Sequence, residues 1–317
     1  MYLFKRTRPL LAFVILFLHM AFAFHASAAD ERFIMITHAP DSDPWWNVMK
    51  NAVKEASEKM NVEVSYQNPA SGDITDMARI VEQSVASNPD GIIVTIADYD
   101  VLKPTLLKAA KKGIPLITIN SGTEQQSREL GALMHIGQPE YDAGFAAGKR
   151  ALLAGVDRFL CVNHYITNPV SVDRCRGYAD AINADLQKSM IDASEDPVRI
   201  EAKVQSYLRR HPQINGILAL GPTSASPTIR VVEKMRLGGK VHFSTFDVSE
   251  DIAQNIDAGV IAFALDQQPY LQGFMAVTSM TLYVRYGLSP RNNMHTGPAF
   301  ITKDNLKTIK QLSGTVR

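Results

Sequence analysis

The chain lacks the common marks of catalysis and metal binding. It has no Gly-x-Ser-x-Gly elbow, no His-Glu-x-x-His and no Gly-x-x-x-x-Gly-Lys-Ser/Thr loop. Those absences remove the familiar signatures of serine hydrolases, zinc peptidases and P-loop nucleotide sites. Leu237-Gly238-Gly239-Lys240 is followed by Val241, so it reads as a helix end and a turn. Six histidines follow residue 29, and no two have the spacing that puts metal ligands on one helix face. There is no low-complexity run and no excess of either charge. After residue 29 no segment is apolar enough to span a bilayer. No helix-turn-helix segment precedes Arg32, which argues against a repressor. Cysteine is scarce, with two in 317 residues, and so is tryptophan, with two.

What is present begins with an export signal. Lys5, Arg6 and Arg8 form a basic start, Leu10 to Phe24 is almost wholly apolar, and Ala26-Ser27-Ala28 supplies small residues for cleavage. Residues 1–29 read as a secretory signal peptide rather than an anchor, because the apolar core is short and a processing site follows it. Its removal leaves 30 basic residues against 32 acidic ones, a net charge of about −2. A nearly neutral protein has no electrostatic footprint for nucleic acid. Cys161 and Cys175 suit an oxidising compartment. One disulfide or two buried thiols fit the spacing equally, since sequence does not supply bond geometry.

From Arg32 onward short apolar runs alternate with amphipathic helical patterns. Strands are predicted at Phe33–Thr37, Val62–Gln67, Gly91–Ile96, Ile114–Asn120 and Leu133–Ile136. Helices are predicted at Asp43–Met60, Asp73–Ala86, Val101–Lys111 and Tyr141–Leu153. In the first of these, Trp45, Met49, Ala52, Val53, Ala56 and Met60 share one side, the 3.6-residue period of a half-buried helix. Asp43 fits an N-cap and Pro44 the first helical position. The plan then restarts. Strands are predicted at Phe159–Asn163, Gly216–Leu220, Val241–Thr245, Ile261–Leu265 and Ala299–Thr302. Helices are predicted at Pro169–Ala184, Arg199–Arg210, Thr223–Met235, Ser249–Ala258 and Pro269–Tyr286. Such alternation predicts an α/β fold with parallel sheets covered on both faces. About ten strands suit two sheets of five or six better than one.

Ligands of open parallel sheets bind beyond the carboxyl ends of the strands. The polar and aromatic residues of this chain gather at such ends. The first strand runs into Thr37-His-Ala-Pro-Asp-Ser-Asp-Pro-Trp-Trp46, which holds both tryptophans. Later strands run into Asn120-Ser121-Gly122, Asn163-His164-Tyr165, Gly221-Pro222-Thr223-Ser224, Phe246-Asp247 and Asp266-Gln267-Gln268-Pro269.

These motifs, in this order, resemble those of the type I periplasmic sugar-binding proteins, the ribose- and galactose-binding group that serves ABC importers. Asp43-Pro44-Trp45-Trp46 is similar to the family's Asn-Pro-Phe-Phe turn, and Asn88-Pro89-Asp90-Gly91 to its Pro-Asp-Gly strand entry. Gly113-Ile114-Pro115-Leu116-Ile117-Thr118 resembles Gly-Ile-Pro-Val-Ile-Thr, and Arg174-Cys175-Arg176-Gly177 resembles Arg-x-Arg-Gly. Phe246-Asp247 and Gln267-Gln268-Pro269 look like the family's Phe-Asp strand end and Gln-x-Pro hinge. The chain departs from ribose binders at Asn120-Ser121, where they carry Asp-Arg, and at Gly221-Pro222, where they carry Asn-Asp.

The resemblance implies two doubly wound parallel-sheet domains joined by a three-strand hinge. One would hold residues 30–137 plus 267–295 and the other 138–266 plus 296–317, with crossings near Gly137, Asp266 and Thr296. It implies a periplasmic monomer that needs no cofactor, catalyses no reaction, closes around a monosaccharide or polyol and docks on a membrane permease. A sensor kinase or chemoreceptor is the alternative partner. The implied ligand-binding residues are Asp43, Trp45, Trp46, Asn120, Ser121, Arg174, Thr223, Asp247 and Gln267. Flat rings pack on the C–H face of a sugar. Carboxylates and Arg174 would read hydroxyl orientation, while Asn120 and Gln267 both donate and accept. Each has a plainer reading beside this one. Asp43 fits a helix cap, one tryptophan suits the core, Arg174 suits the surface, and Asp247 suits a cap for the helix near Ser249. Asp98 and Asp100 suit a cap or the rim, and His38 and His164 suit the rim.

Overall fold

A computed structural model describes residues 31–317 apart from 42, 44 and 313. The expected signal peptide and the expected helix-opening Pro44 lie outside the described residues. The first half of the chain runs β1 (Arg32–Ile36), α1 (Trp46–Met60), β2 (Glu63–Gln67), α2 (Ile74–Ala86), β3 (Gly91–Val94), α3 (Tyr99–Lys111), β4 (Leu116–Ile119), α4 (Glu124–Glu129) and β5 (His135–Gly137). The second runs α5 (Glu140–Leu153), β6 (Phe159–Asn163), α6 (Pro169–Ala181), α7 (Leu186–Ser189), β7 (Met190–Asp192), α8 (Pro197–Arg210), β8 (Gly216–Ala219), α9 (Pro222–Lys234), β9 (His242–Phe246), α10 (Glu250–Asp257) and β10 (Phe263–Asp266). It closes with α11 (Pro269–Tyr286), β11 (Met294–His295), β12 (Ala299–Ile301) and α12 (Leu306–Leu312).

Two sheets of six strands result, ordered β2-β1-β3-β4-β5-β11 and β7-β6-β8-β9-β10-β12. The repeat of plan is therefore literal: each sheet changes winding direction beside its first strand. Every pairing is parallel except β10 with β12. Each sheet is apolar on both faces, as parallel sheets require. In β1, Phe33 and Met35 enter one cluster while Ile34 and Ile36 enter another. In β6, Leu160 and Val162 face one way and Phe159 and Cys161 the other. The period of two makes both sets fully useful to the core. The chain passes between the sheets after β5, after β10 and between β11 and β12.

Helix starts behave as the side chains dictate. Asp73, Asp98, Asn168, Asp196 and Ser249 each accept a backbone N–H in the first turn of the helix that follows. Asp98 is thus a cap, while Ser249 takes the capping position that Asp247 also suited.

The cap expected at Asp43 is corrected. The helix opens later, at Trp46, with Trp45 in the capping position and no side-chain bond there. Asp43 Oδ1 instead accepts the N–H of Trp45 at 3.1 Å, closing a turn two residues long before the helix begins. Several short elements carry too little periodicity for a sequence reading: α4, α7, β7, β11 and α12. The α4 helix did carry a signal, a Thr123-x-x-Gln126 capping box with both hydrogen bonds formed.

Two helices of the second half approach unusually closely. A Cβ on Gly144 of α5 would fall 2.1 Å from the carbonyl oxygen of Arg174. A Cβ on Gly177 of α6 would fall 2.1 Å from that of Tyr141. The backbones meet because neither position has a side chain. Cys161 of β6 and Cys175 of α6 form a disulfide across a Cα separation of 5.9 Å, within the span a bridge tolerates.

Candidate functional site

A cavity of about 890 Å³ lies between the carboxyl ends of the two sets of strands. Asp43, Trp45, Trp46, Asn120, Ser121, Arg174, Thr223, Asp247 and Gln267 all line it. Residues spread over 225 positions converge because most of them sit at or beyond a strand end, while Arg174 reaches in from the second turn of α6. His38, Tyr165 and Glu195 join them.

The wall on the first sheet is aromatic. Trp46 is 5% exposed and packs in the core, yet it also reaches the cavity. Trp45 is half-buried and meets Trp46 edge to face at 4.9 Å. His38 also meets Trp46 edge to face at 5.2 Å, while its Nδ1 bonds Thr95 Oγ1 at 3.0 Å. Asp43 completes this wall. Burial raises its carboxyl above the usual range, against the hydrogen bonds from the Trp45 backbone and the Trp46 side chain.

The wall on the second sheet is charged. Arg174 is 7% exposed, so the surface reading is corrected: the fold buries it. Its Nε and Nη2 donate to Glu140 Oε2 and Oε1, both at 2.7 Å, and its Nη1 donates to the Leu220 carbonyl at 3.1 Å. Its guanidinium lies 4.3 Å from the Phe246 ring centroid. Asp247 Oδ2 stands 4.0 Å from Nη1. Burial pushes the Asp247 carboxyl up to about 7, although the Arg174 guanidinium pulls it down. His164 is held neutral, its value lowered to about 4 by burial and then by Arg174. Tyr165 crosses toward the first wall, its ring 6.1 Å from that of His38.

A chain of amides joins the walls. Asn120 Nδ2 donates to Gln267 Oε1 at 2.9 Å, and Gln267 Nε2 donates to Asp247 Oδ1 at 2.8 Å. Ser121 Oγ donates to Asn120 Oδ1 at 3.2 Å. Asn120 and Asp247 both adopt left-handed backbone, at φ 58° and 59°. Asn and Asp enter that region more readily than other side chains, and it turns each one from the strand end toward the cavity. Thr223 lies in the first turn of α9 and is half-buried.

Sequence reasoning missed Glu140, Glu195 and the inward role of His38. Glu140 sits on a helix whose polar positions look solvated, and nothing in its spacing marks a buried carboxylate. Among the described residues no cluster of three or more His, Cys, Asp or Glu side chains is arranged to hold a metal ion. Among them, too, no helix is long and apolar enough to cross a membrane.

Known proteins share the sequence pattern and the fold. The xylose/arabinose-binding protein XylF of Sulfolobus acidocaldarius is 23% identical over 87% of this chain and 72% of its own length. A carbohydrate transporter from Acidothermus cellulolyticus, solved in complex with myo-inositol, is 31% identical and superposes with a TM-score of 0.82, covering 90% of this chain and 98% of that one. GanP, a glucose-galactose binding protein from Geobacillus stearothermophilus, is 26% identical with a TM-score of 0.76, covering 87% and 99%. The periplasmic binding protein domain matches residues 33–287, from β1 through the end of α11 and so across both sheets and the cleft between them. The chain belongs to the periplasmic binding protein family.

Proposed function

We propose that the chain is the substrate-binding component of an ABC importer, taking a monosaccharide or polyol in the cleft between its sheets. The observation that carries this is the convergence of two tryptophans, two carboxylates, an arginine and two amides on one cavity. Rings suit the C–H face of a sugar or cyclitol, and the remaining groups suit its rim of hydroxyls. Relatives named as sugar-binding proteins support the ligand class. A relative named as the periplasmic-binding protein of an ABC transporter supports transport over a sensory role. The binding component is a monomer of two domains, residues 30–137 plus 267–295 and 138–266 plus 296–317. It closes about the three crossings, exports through its signal peptide and presents the closed form to a membrane permease. It performs no chemistry on the ligand.

Thermal melting against a panel of pentoses, hexoses, inositols and linear polyols tests the reading. A ligand at 100 times its dissociation constant stabilises the protein by about 2.7 kcal/mol, a shift of several degrees. No shift with any member of the panel would defeat the proposal.

A further inference from the structure

We infer that Glu140, which does not line the cavity, sets the charge preference of the cleft by neutralising Arg174. The inference rests on the sugar-binding reading above and adds to it a residue and a specificity. The guanidinium is the only cationic group of the inner cleft among the described residues; the other arginine lining the cavity, Arg230, is exposed at the rim and paired with Glu201 at 2.6 Å. Left unpaired, a buried arginine in a sugar site would favour a carboxylate or phosphate on the ligand, because its planar fork matches those groups. Here the fork is already engaged. Glu140 takes Nε and Nη2 at 2.7 Å each and is itself buried, at 7% exposure. Gln138 Nε2 donates to Glu140 Oε2 at 2.8 Å, which helps hold the carboxylate in place.

Two further acids face the cleft and supply no positive charge. Asp247 faces the same guanidinium at 4.0 Å, and Asp43 stands on the opposite wall. His38 and His164 add no charge, since burial keeps both neutral. With Glu140 paired to it from behind, Arg174 serves as a hydrogen-bond donor whose charge is matched, and no unpaired cation is left in the inner cleft among the described residues. A neutral polyhydroxylated ligand fits that balance. A sugar acid would bring a further negative charge beside Asp247. The pairing is built into the fold: Glu140 opens α5, Arg174 lies on α6, and the glycine contacts at Gly144 and Gly177 set these two helices together.

The test is titration calorimetry with matched probes: D-glucose against D-glucuronate, D-galactose against D-galacturonate, and myo-inositol as a cyclitol. The native protein should favour the neutral member of a pair it binds by roughly 100-fold. Glu140→Gln keeps the size of the side chain and removes its charge. It should cut that ratio by about tenfold or more, the size expected when a charged hydrogen-bonding partner is lost. Glu140→Asp, which restores the charge, should move the ratio back toward native. A purely structural role would weaken both members by the same factor and leave the ratio unchanged, and that result would overturn the inference. So would a native protein that binds the acid as tightly as the sugar. If Glu140→Gln does not fold, Asp247→Asn measured at pH 8, where Asp247 is ionised, removes the other carboxylate on the same guanidinium and should relax the ratio in the same direction. An unchanged ratio there would again overturn it. Binding of no probe at all by the folded native protein would instead defeat the sugar-binding reading, and the inference with it.

Discussion

The two walls of the cleft are built from different materials and held by different means. The wall on the first sheet is two tryptophans and a histidine in edge-on contact, with Asp43 held by the turn before α1. The wall on the second sheet is Arg174, Glu140 and Asp247, braced by a disulfide and by two helices in backbone contact. Rings tolerate small displacements, since dispersion falls off gradually and hydrogen-bond direction is not at stake. A buried ion pair does not tolerate them, because each atom must keep its partner or carry an uncompensated charge. The stiffer scaffold stands where geometry matters more.

The largest effect should come from breaking the charged wall. Arg174→Ala leaves Glu140 and Asp247 buried without their cation, and should cost about 3–5 kcal/mol of stability in chemical denaturation. A loss under about 1 kcal/mol would mean that the second wall is solvated like a surface pair, and the contrast between the walls would disappear.

A change of pH should weaken the same wall by a smaller amount. The folded Asp247 value of about 7 lies above its ordinary value of 3.8. A raised folded value gives stability that is fully present below the unfolded value and is lost as pH rises through the folded one. Stability contributed by Asp247 should therefore fall by about 2 kcal/mol between pH 5 and pH 8. Arg174, Glu140, Asp266 and His164 share its surroundings. His38, His135 and His164, all lowered to about 4, act in the opposite sense, adding stability as pH rises toward 6.5. Subtracting the profile of Asp247→Asn cancels the histidines to first order. A flat difference curve would show that the carboxylate ionises freely in place.

The walls also differ in how far a sequence discloses them. The alternation of apolar runs and helices discloses both sheets, and the strand-end rule points to most of the nine residues that share the cavity, Arg174 being added only by the resemblance. Trp45, Trp46 and Asp43 stand out because tryptophan is scarce and a turn is obvious. Arg174 reads as a surface residue from local pattern, since its burial depends on a partner 34 residues away. Glu140 is less legible still: a carboxylate in the first turn of a helix is favourable there whether solvated or buried. The strands β7 and β11 have three and two residues, below the length at which a period of two can be seen. Local chemistry is visible in one dimension, whereas a charge pair joined by packing is not.

The smallest effect on stability, and the sharpest on recognition, should be found at Trp45. Its neighbour Trp46 packs in the core against Met49 and Met35 in one apolar cluster, so Trp46→Ala should cost about 3–5 kcal/mol and report mainly on folding. Trp45 is half-buried, at the edge of that cluster, and lines the cavity. Trp45→Ala should cost about 1 kcal/mol of stability, because little of its ring surface is lost from the core. Affinity for the best ligand of the melting panel should drop by about tenfold, the worth of one flat ring against a C–H face. Trp45→Phe should recover most of that loss while leaving stability where the alanine variant put it. If the alanine variant instead loses several kcal/mol of stability and keeps its affinity, the two rings have exchanged roles. The aromatic wall would then touch the ligand through Trp46 and be as dependent on the core behind it as the charged wall is on its braces.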